Sequence, residues 1–279
     1  MNIKQFNPVE FIKNNNDGFF AMIVAPRRTG KTCLTEDLIS KFQPHRKWDE
    51  AYLFSRTAFA QDCYNFIPKE NKFNYLDTNK LSEIFKSQQQ NQEDYRDGMI
   101  DKKKRVLIIA DDIIGTKEAR NSPEFNDLSI LGRHFRLDVF SLSQTIKGFS
   151  PMTRSNSDLI ITWRCLKFED REITCEDFLM IESGKKSEIK KKAIEILNKI
   201  AEKQYRCCVI EKHISSYAKT ASDYVRWYLA EPKVKIKNIG KHKSKKKKIV
   251  NCSKNVIDHE GKPITLNMRI RKKIKKNKR

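Results

Sequence analysis

The sequence predicts an α/β fold, a mostly parallel central sheet flanked by helices with a basic C-terminal tail, and three observations point to it. Short apolar runs such as FFAMIV (19–24) and VLIIA (106–110) read as strands buried on both faces. Stretches with helical spacing alternate with those runs, the pattern of a layered α/β domain. The composition then changes near Pro232, where apolar runs give way to lysine.

Each element follows in order. FFAMIV (19–24) is the first strand; it runs into APRRTGKT, and residues 33–42 read as an amphipathic helix. AYLF (51–54) is a second strand and residues 72–76 a third. Residues 79–100, rich in Gln and Asn, form a polar surface helix with a loose loop. VLIIA (106–110) ends on two aspartates. Pro123 opens a helix to about residue 134, proline being favoured in a first turn. Residues 137–142 form a strand that ends at Gln144, DLIITW (158–163) is another, residues 186–203 are a Lys-rich helix, and YRCCVI (205–210) is the last strand. If Cys207 and Cys208 lie in it, they point to opposite faces.

Charge divides the 279 residues into a body, 1–230, and a tail, 231–279. The net charge is +22, and the tail holds 19 Lys/Arg against three acids, which leaves the body at only +6. The runs KHKSKKKK (241–248) and RIRKKIKKNKR (269–279) are too charged to bury, so the tail is expected to be largely disordered. Between them, VIDHEGKPITL (256–266) has the form of a small hairpin around Glu260-Gly261. A concentrated cationic tail points to a polyanion, above all nucleic acid, because each neutralised phosphate releases counterions. The competing reading is a solvated tail that only keeps the chain soluble.

Seven cysteines without a C-x-x-C pair fit neither a disulfide framework nor a zinc site. The polar opening residues do not form a signal peptide, and no run approaches the roughly 20 apolar residues of a membrane span. A reduced, cytosol-like compartment is expected.

Three elements carry chemistry. The first is the loop Ala25, Pro26, Arg27, Arg28, Thr29, Gly30, Lys31, Thr32. A phosphate cradle needs converging backbone N–H groups and a helix N-terminus, which G-x-x-x-x-G-K-[ST] provides between a strand and a helix. Lys31 would reach the β- and γ-phosphates of ATP, and the Thr32 hydroxyl would ligate Mg2+. Ala25 departs from the pattern's first glycine and is acceptable if its φ stays negative. The second element is the strand end at Asp111-Asp112: Asp111 takes the metal and Asp112 polarises the attacking water, whereas the bland reading is a solvated Asp-Asp turn. The third is Gln144, which either orients that water and senses the γ-phosphate or only caps its strand.

Taken with GRHFRLDVFSLSQT (132–145) and MTRSNSDLIITW (152–163), these elements resemble the poxvirus-type genome-packaging ATPases of large DNA viruses, in the FtsK–HerA superfamily of P-loop NTPases. The likeness covers roughly residues 19–165. It implies a RecA-like core with the Gln144 strand between the P-loop and Asp-Asp strands. It implies Walker A positions at Lys31 and Thr32, Walker B positions at Asp111 and Asp112, and a polar sensor at Gln144. Arg154 becomes the candidate arginine finger, with Arg133 as second choice. An arginine paired to an acid such as Asp158 is the alternative reading of Arg154. The resemblance further implies a ring of identical subunits that moves double-stranded DNA into a capsid, with capsid or portal proteins as partners, in the host cytoplasm or the virion. The run KSKKKK would also suit a nuclear address.

A related translocase or helicase of replication or segregation would share these residues. A non-catalytic nucleic-acid-binding virion protein with a relic P-loop should have lost at least one of Lys31, Thr32, Asp111, Asp112 and Gln144. A nucleotide kinase would place its basic residues in a lid and not in a terminal tail.

Overall fold

The structure is a computed structural model that describes residues 3–60, 62–113, 117–163, 167–179, 185–215 and 218–240, and the backbone of two further strands, Cys252–Ile257 and Pro263–Met268. The chain divides into two compact units, Met1–Lys241 and His242–Arg279. The first continues past residue 230: Ile239 is buried, its amide donates to Phe66, and Gln43 exchanges two hydrogen bonds with Lys237. In the second, Cys252–Ile257 and Pro263–Met268 pair antiparallel. The runs at 241–248 and 269–279 lie outside the described residues.

The first unit is built on eight strands: β1 (Phe19–Val24), β2 (Glu50–Ser55), β3 (Lys72–Phe73), β4 (Val106–Asp111), β5 (Leu137–Ser143), β6 (Leu159–Thr162), β7 (Cys207–Glu211) and β8 (Val225–Tyr228). Their order is β3-β2-β4-β5-β1-β6-β7-β8. The pairs from β3 to β6 are parallel, and β7 and β8 are antiparallel additions at one edge. The expected mostly parallel α/β sheet is therefore the observed one. β5 lies between β1 and β4, so the loops that carry the three chemical elements leave the same edge of the sheet side by side.

Every residue of β1, β4 and β5 is buried. Phe20, Met22, Ile108 and Val139 enter one apolar cluster; Phe19, Ile23, Ile109 and Phe140 enter the other. A strand covered on both faces has no polar side to show, hence the continuous apolar runs. Cys208 packs in the first cluster and Cys207 in the second, as the strand alternation requires.

The second cluster is covered by α1 (Pro8–Asn14) and α2 (Lys31–Phe42), with Phe11, Phe19, Phe42 and Phe140 in mutual ring contact. The first is covered by α3 (Thr78–Arg96), α5 (Pro123–Ile130), α7 (Phe168–Phe178) and α8 (Lys186–Ile200), while the short α4 (Lys117–Asn121) and α6 (Pro151–Asn156) place no residue in it. Two single-turn pieces, α9 (Lys212–Ser215) and α10 (Ala221–Tyr224), join β7 to β8. Asn7, Asp77, Ser122 and Ser150 accept from the first-turn amides of α1, α3, α5 and α6, the usual satisfaction of those orphan donors. The helix expected from Pro123 to residue 134 stops at Ile130, and a 3-10 turn over Gly132–Phe135 brings the chain into β5 through Arg136 in the left-handed region.

At the amino edge of the sheet, Asp138 of β5 is fully buried and accepts from Arg46 at 2.8 Å, Arg105 at 3.2 Å and the Trp48 indole at 2.7 Å. The two arginines also donate to the carbonyl of Asp17, just ahead of β1. Burial pushes Arg46 down to about 10, which still leaves it charged at neutral pH. Gly18 is needed beside this clasp, since a Cβ there would lie 2.2 Å from the Leu137 carbonyl oxygen. Removing one member of a buried ion cluster leaves charge uncompensated, at a cost of about 3–5 kcal/mol. The clasp thus fixes β1 against β5, the strands that carry the P-loop and Gln144.

Candidate active site

At the opposite edge, β1 ends in Val24 and the P-loop turns into α2. Ala25 donates its amide to Ser143 on β5 at 3.0 Å and keeps φ below zero, so the glycine missing from the motif is not required. The left-handed positions are Arg28 (φ 62°) and Gly30 (φ 95°). Gly30 is the N-cap of α2, without a side-chain cap, and a Cβ there would meet nothing within 4 Å. The first-turn N–H groups of α2 are thus left for an anion, where the helix dipole also favours one. Thr29 closes the turn by donating to the Pro26 carbonyl at 2.8 Å.

Lys31 folds back over this loop. Its Nζ donates to the carbonyls of Ala25 at 2.8 Å and Pro26 at 3.1 Å, and its residue is only 9% exposed. Burial lowers its pKa, while Asp112 and Asp111 act against that shift. Lys31 is therefore enclosed by the loop and closes the cradle itself.

Asp111 is the last residue of β4 and is 9% exposed. Burial first, and the adjacent Asp112 second, raise its pKa to about 6; the bond from Tyr64 and the charge of Lys31 oppose this. Tyr64 Oη donates to Asp111 Oδ2 at 3.2 Å. Asp112 leaves the strand in the left-handed region (φ 54°), with its amide on the Leu142 carbonyl. Its Oδ2 accepts from Gln144 Nε2 at 2.7 Å. Gln144 therefore does more than cap β5: it joins the Asp-Asp strand to its own. The turn behind it is fixed by buried Asp170 of α7, which accepts from the Ile146 amide at 3.1 Å.

Two cavities meet at Gln144. One of about 190 Å³ runs beside Ala25, Pro26 and Arg27 to Lys167 and Asp170. The other, about 370 Å³, is bounded by Asp112, Arg56, Arg120 and Lys147. The open cradle and the neighbouring oxygens of Thr32 and Asp111 fit a nucleotide with Mg2+, a hard cation held by few protein oxygens and by phosphate. Among the described residues no group of three or more His, Cys, Asp or Glu is placed to hold a metal alone.

Arg154 is elsewhere. Its Nε donates to Asp177 at 2.6 Å and one terminal nitrogen donates to the Phe149 carbonyl at 3.0 Å. The acid is Asp177 and not Asp158, which accepts from the Phe20 amide. Lys212, which follows β7 at the amino edge of β6, donates to the carbonyls of Arg154 and Ser155. The α6 backbone at Arg154 is thus at the edge opposite the P-loop, and the guanidinium is engaged within its own subunit. Arg133 is exposed on the turn before β5, at that same amino edge.

The sequence reading missed Tyr64, Glu36, Asp170, Arg56 and Arg120. Tyr64 follows no motif; only Glu36 had a signal, one helical turn after Thr32 on the P-loop helix.

Residues 9–241 match the family model described as Poxvirus A32 protein. No curated protein matches the chain. Among solved structures, the genome packaging NTPase B204 from Sulfolobus turreted icosahedral virus 2, in complex with ATP-gammaS, is 14% identical with a TM-score of 0.52 over 78% of this chain and 100% of that one. The conjugation coupling protein TcpA of pCW3 is 13% identical with a TM-score of 0.50, over 77% of this chain and 60% of that one. The cytoplasmic domain of the type VII secretion ATPase EccC from Thermomonospora curvata is 12% identical with a TM-score of 0.50, over 78% and 26%. Those likenesses establish a shared fold, and the family match, which spans the whole α/β unit, goes further: this chain belongs to the Poxvirus A32 protein family.

Proposed function

We propose that the chain is an ATP-hydrolysing DNA translocase that packages double-stranded viral DNA into capsids. The observation that carries the reading is the Gln144–Asp112 hydrogen bond beside an intact P-loop. A protein that merely held nucleotide would not need a second acid coupled to a sensor amide. Family membership and a fold shared with a genome packaging NTPase support the same conclusion.

Each residue has a separable task. The backbone of residues 25–32 and the first turn of α2 cradle the phosphates. Lys31 exchanges the carbonyls of Ala25 and Pro26 for β- and γ-phosphate oxygens. Thr32 and Asp111 hold Mg2+, which when bound neutralises charge on the phosphate oxygens. Asp112 Oδ1, the oxygen not bonded to Gln144, accepts a proton from the attacking water, and Gln144 keeps that carboxylate aimed. Arg56, Arg120 and Lys147 give the adjoining cavity a positive wall suited to phosphate.

We further propose that the chain works as a ring of identical subunits, with capsid or portal proteins as partners, in the host cytoplasm or the virion. No helix among the described residues is long and apolar enough to cross a membrane. Phosphate release from ATP by the full chain, with and without Mg2+, tests the assignment. Mg2+-dependent release that Lys31→Ala abolishes is expected; equal turnover in that variant would remove the P-loop from the reaction.

A further inference from the structure

Tyr64 carries more than a core residue would. It is fully buried, packs edge-on against Phe66 at 6.2 Å, and holds a left-handed backbone (φ 55°), uncommon for an aromatic residue. Glu36, one turn beyond Thr32 on α2, secures that conformation by accepting from the Tyr64 amide at 2.8 Å. The same helix that begins at the phosphates thus grips the backbone from which the phenol reaches back. Its hydroxyl meets Asp111.

Proton counting gives that contact a direction. An ionised carboxylate only accepts, so the single phenolic proton goes to Asp111 Oδ2. The proposed metal ligand Asp111 is thereby oriented: Oδ2 faces Tyr64, and Oδ1 is kept for the cation or a water on it. We propose that Tyr64 is a positioning residue of the magnesium site, orienting Asp111 through this hydrogen bond. The inference rests on the nucleotide site proposed above and adds a residue to it.

Groups that orient metal ligands from behind commonly change metal affinity by about 10–100-fold when removed. Tyr64→Phe keeps the ring and deletes only the hydroxyl that meets Asp111. The test is binding of a fluorescent ATP analogue to the full chain, titrated with MgCl2 and repeated in EDTA, with thermal unfolding followed in parallel. The expected result is about a ten-fold higher Mg2+ midpoint in the variant with unchanged binding in EDTA. A midpoint equal to wild type, in a variant that binds nucleotide normally, overturns the role of Tyr64 and leaves the nucleotide site standing. Absence of any Mg2+-dependent binding by wild type overturns both. Should Tyr64→Phe fail to fold, Glu36→Ala, which frees the Tyr64 backbone without touching its hydroxyl, is read in the same way: a raised midpoint supports the positioning role of Tyr64 and an unchanged one rejects it.

Discussion

Gln144 Nε2 donates to Asp112 Oδ2 at 2.7 Å and so ties together the ends of two neighbouring parallel strands. The bond takes up one carboxylate oxygen; in the proposed mechanism the other receives the proton of the water. It also explains a cost, since Asp112 is held in the left-handed region that a non-glycine residue seldom adopts.

Asp112→Asn is therefore expected to bind ATP and Mg2+ normally and to lose turnover by about 10²–10⁴, the range for removing a general base. Gln144→Leu should lower turnover without weakening nucleotide binding. Phosphate release and nucleotide titration separate the two quantities. If Asp112→Asn and Asp111→Asn behave alike, the division of metal-holding and water-activating roles is wrong.

Asp111 makes a prediction about pH in the metal-free protein. Its pKa in the fold, about 6, exceeds the ordinary carboxylate value because burial disfavours the charge. A group raised in this way contributes stability that is fully present below its unfolded pKa and lost as pH rises through the folded one. Asp111→Asn does not titrate, so in EDTA its stability relative to wild type should improve between pH 4.5 and 7.5, by roughly 1–3 kcal/mol at about 1.4 kcal/mol per unit. Urea unfolding at the two pH values checks this. An equal difference at both would mean that the carboxylate is not penalised by burial.

Arg154 is tied to Asp177 and to the Phe149 carbonyl, so Arg154→Ala should lower stability and not complete a neighbour's site. Losing this partly exposed pair of bonds corresponds to about 0.5–1.5 kcal/mol. Mixing the inactive Lys31→Ala protein with Arg154→Ala is the direct assay. The mixture should regain no more activity than the Arg154→Ala subunits supply alone. Activity above that level would assign Arg154 to the adjoining subunit's nucleotide after all.

The basic tail is best removed at His242, not at residue 231, because residues 231–240 belong to the body: Lys41 pairs with Glu231, and Gln43 with Lys237. Deletion of 242–279 should leave basal ATPase activity intact and flatten the salt dependence of DNA binding. Each lost phosphate contact removes about 0.9 from the log–log slope. An unchanged slope would reassign the tail to protein partners or targeting.

Much of the fold was legible because its strands are buried on both faces. FFAMIV, VLIIA and LDVFSL could bury themselves in few other ways, and the strand order placed Gln144 between Val24 and Asp111 as the resemblance implied. The edge was harder to read. β8 is VRWY, whose Arg226 and Trp227 are half-buried, and α7 is polar at most of its positions, so neither shows a clear period. Within the site, P-loop, Asp-Asp and Gln144 were readable as contiguous or ordered motifs. Tyr64 was not, because its role comes from a loop that folds back onto α2 and depends on a contact nothing in its neighbours in sequence reveals.

The central claim, a DNA-driven ATPase, is tested most directly by the rate of ATP hydrolysis as long double-stranded DNA is added to the full chain with Mg2+. The account predicts a strong, saturable rise that disappears in Lys31→Ala and weakens with salt. A rate indifferent to DNA but raised by a small nucleoside would contradict it and point to a nucleotide kinase.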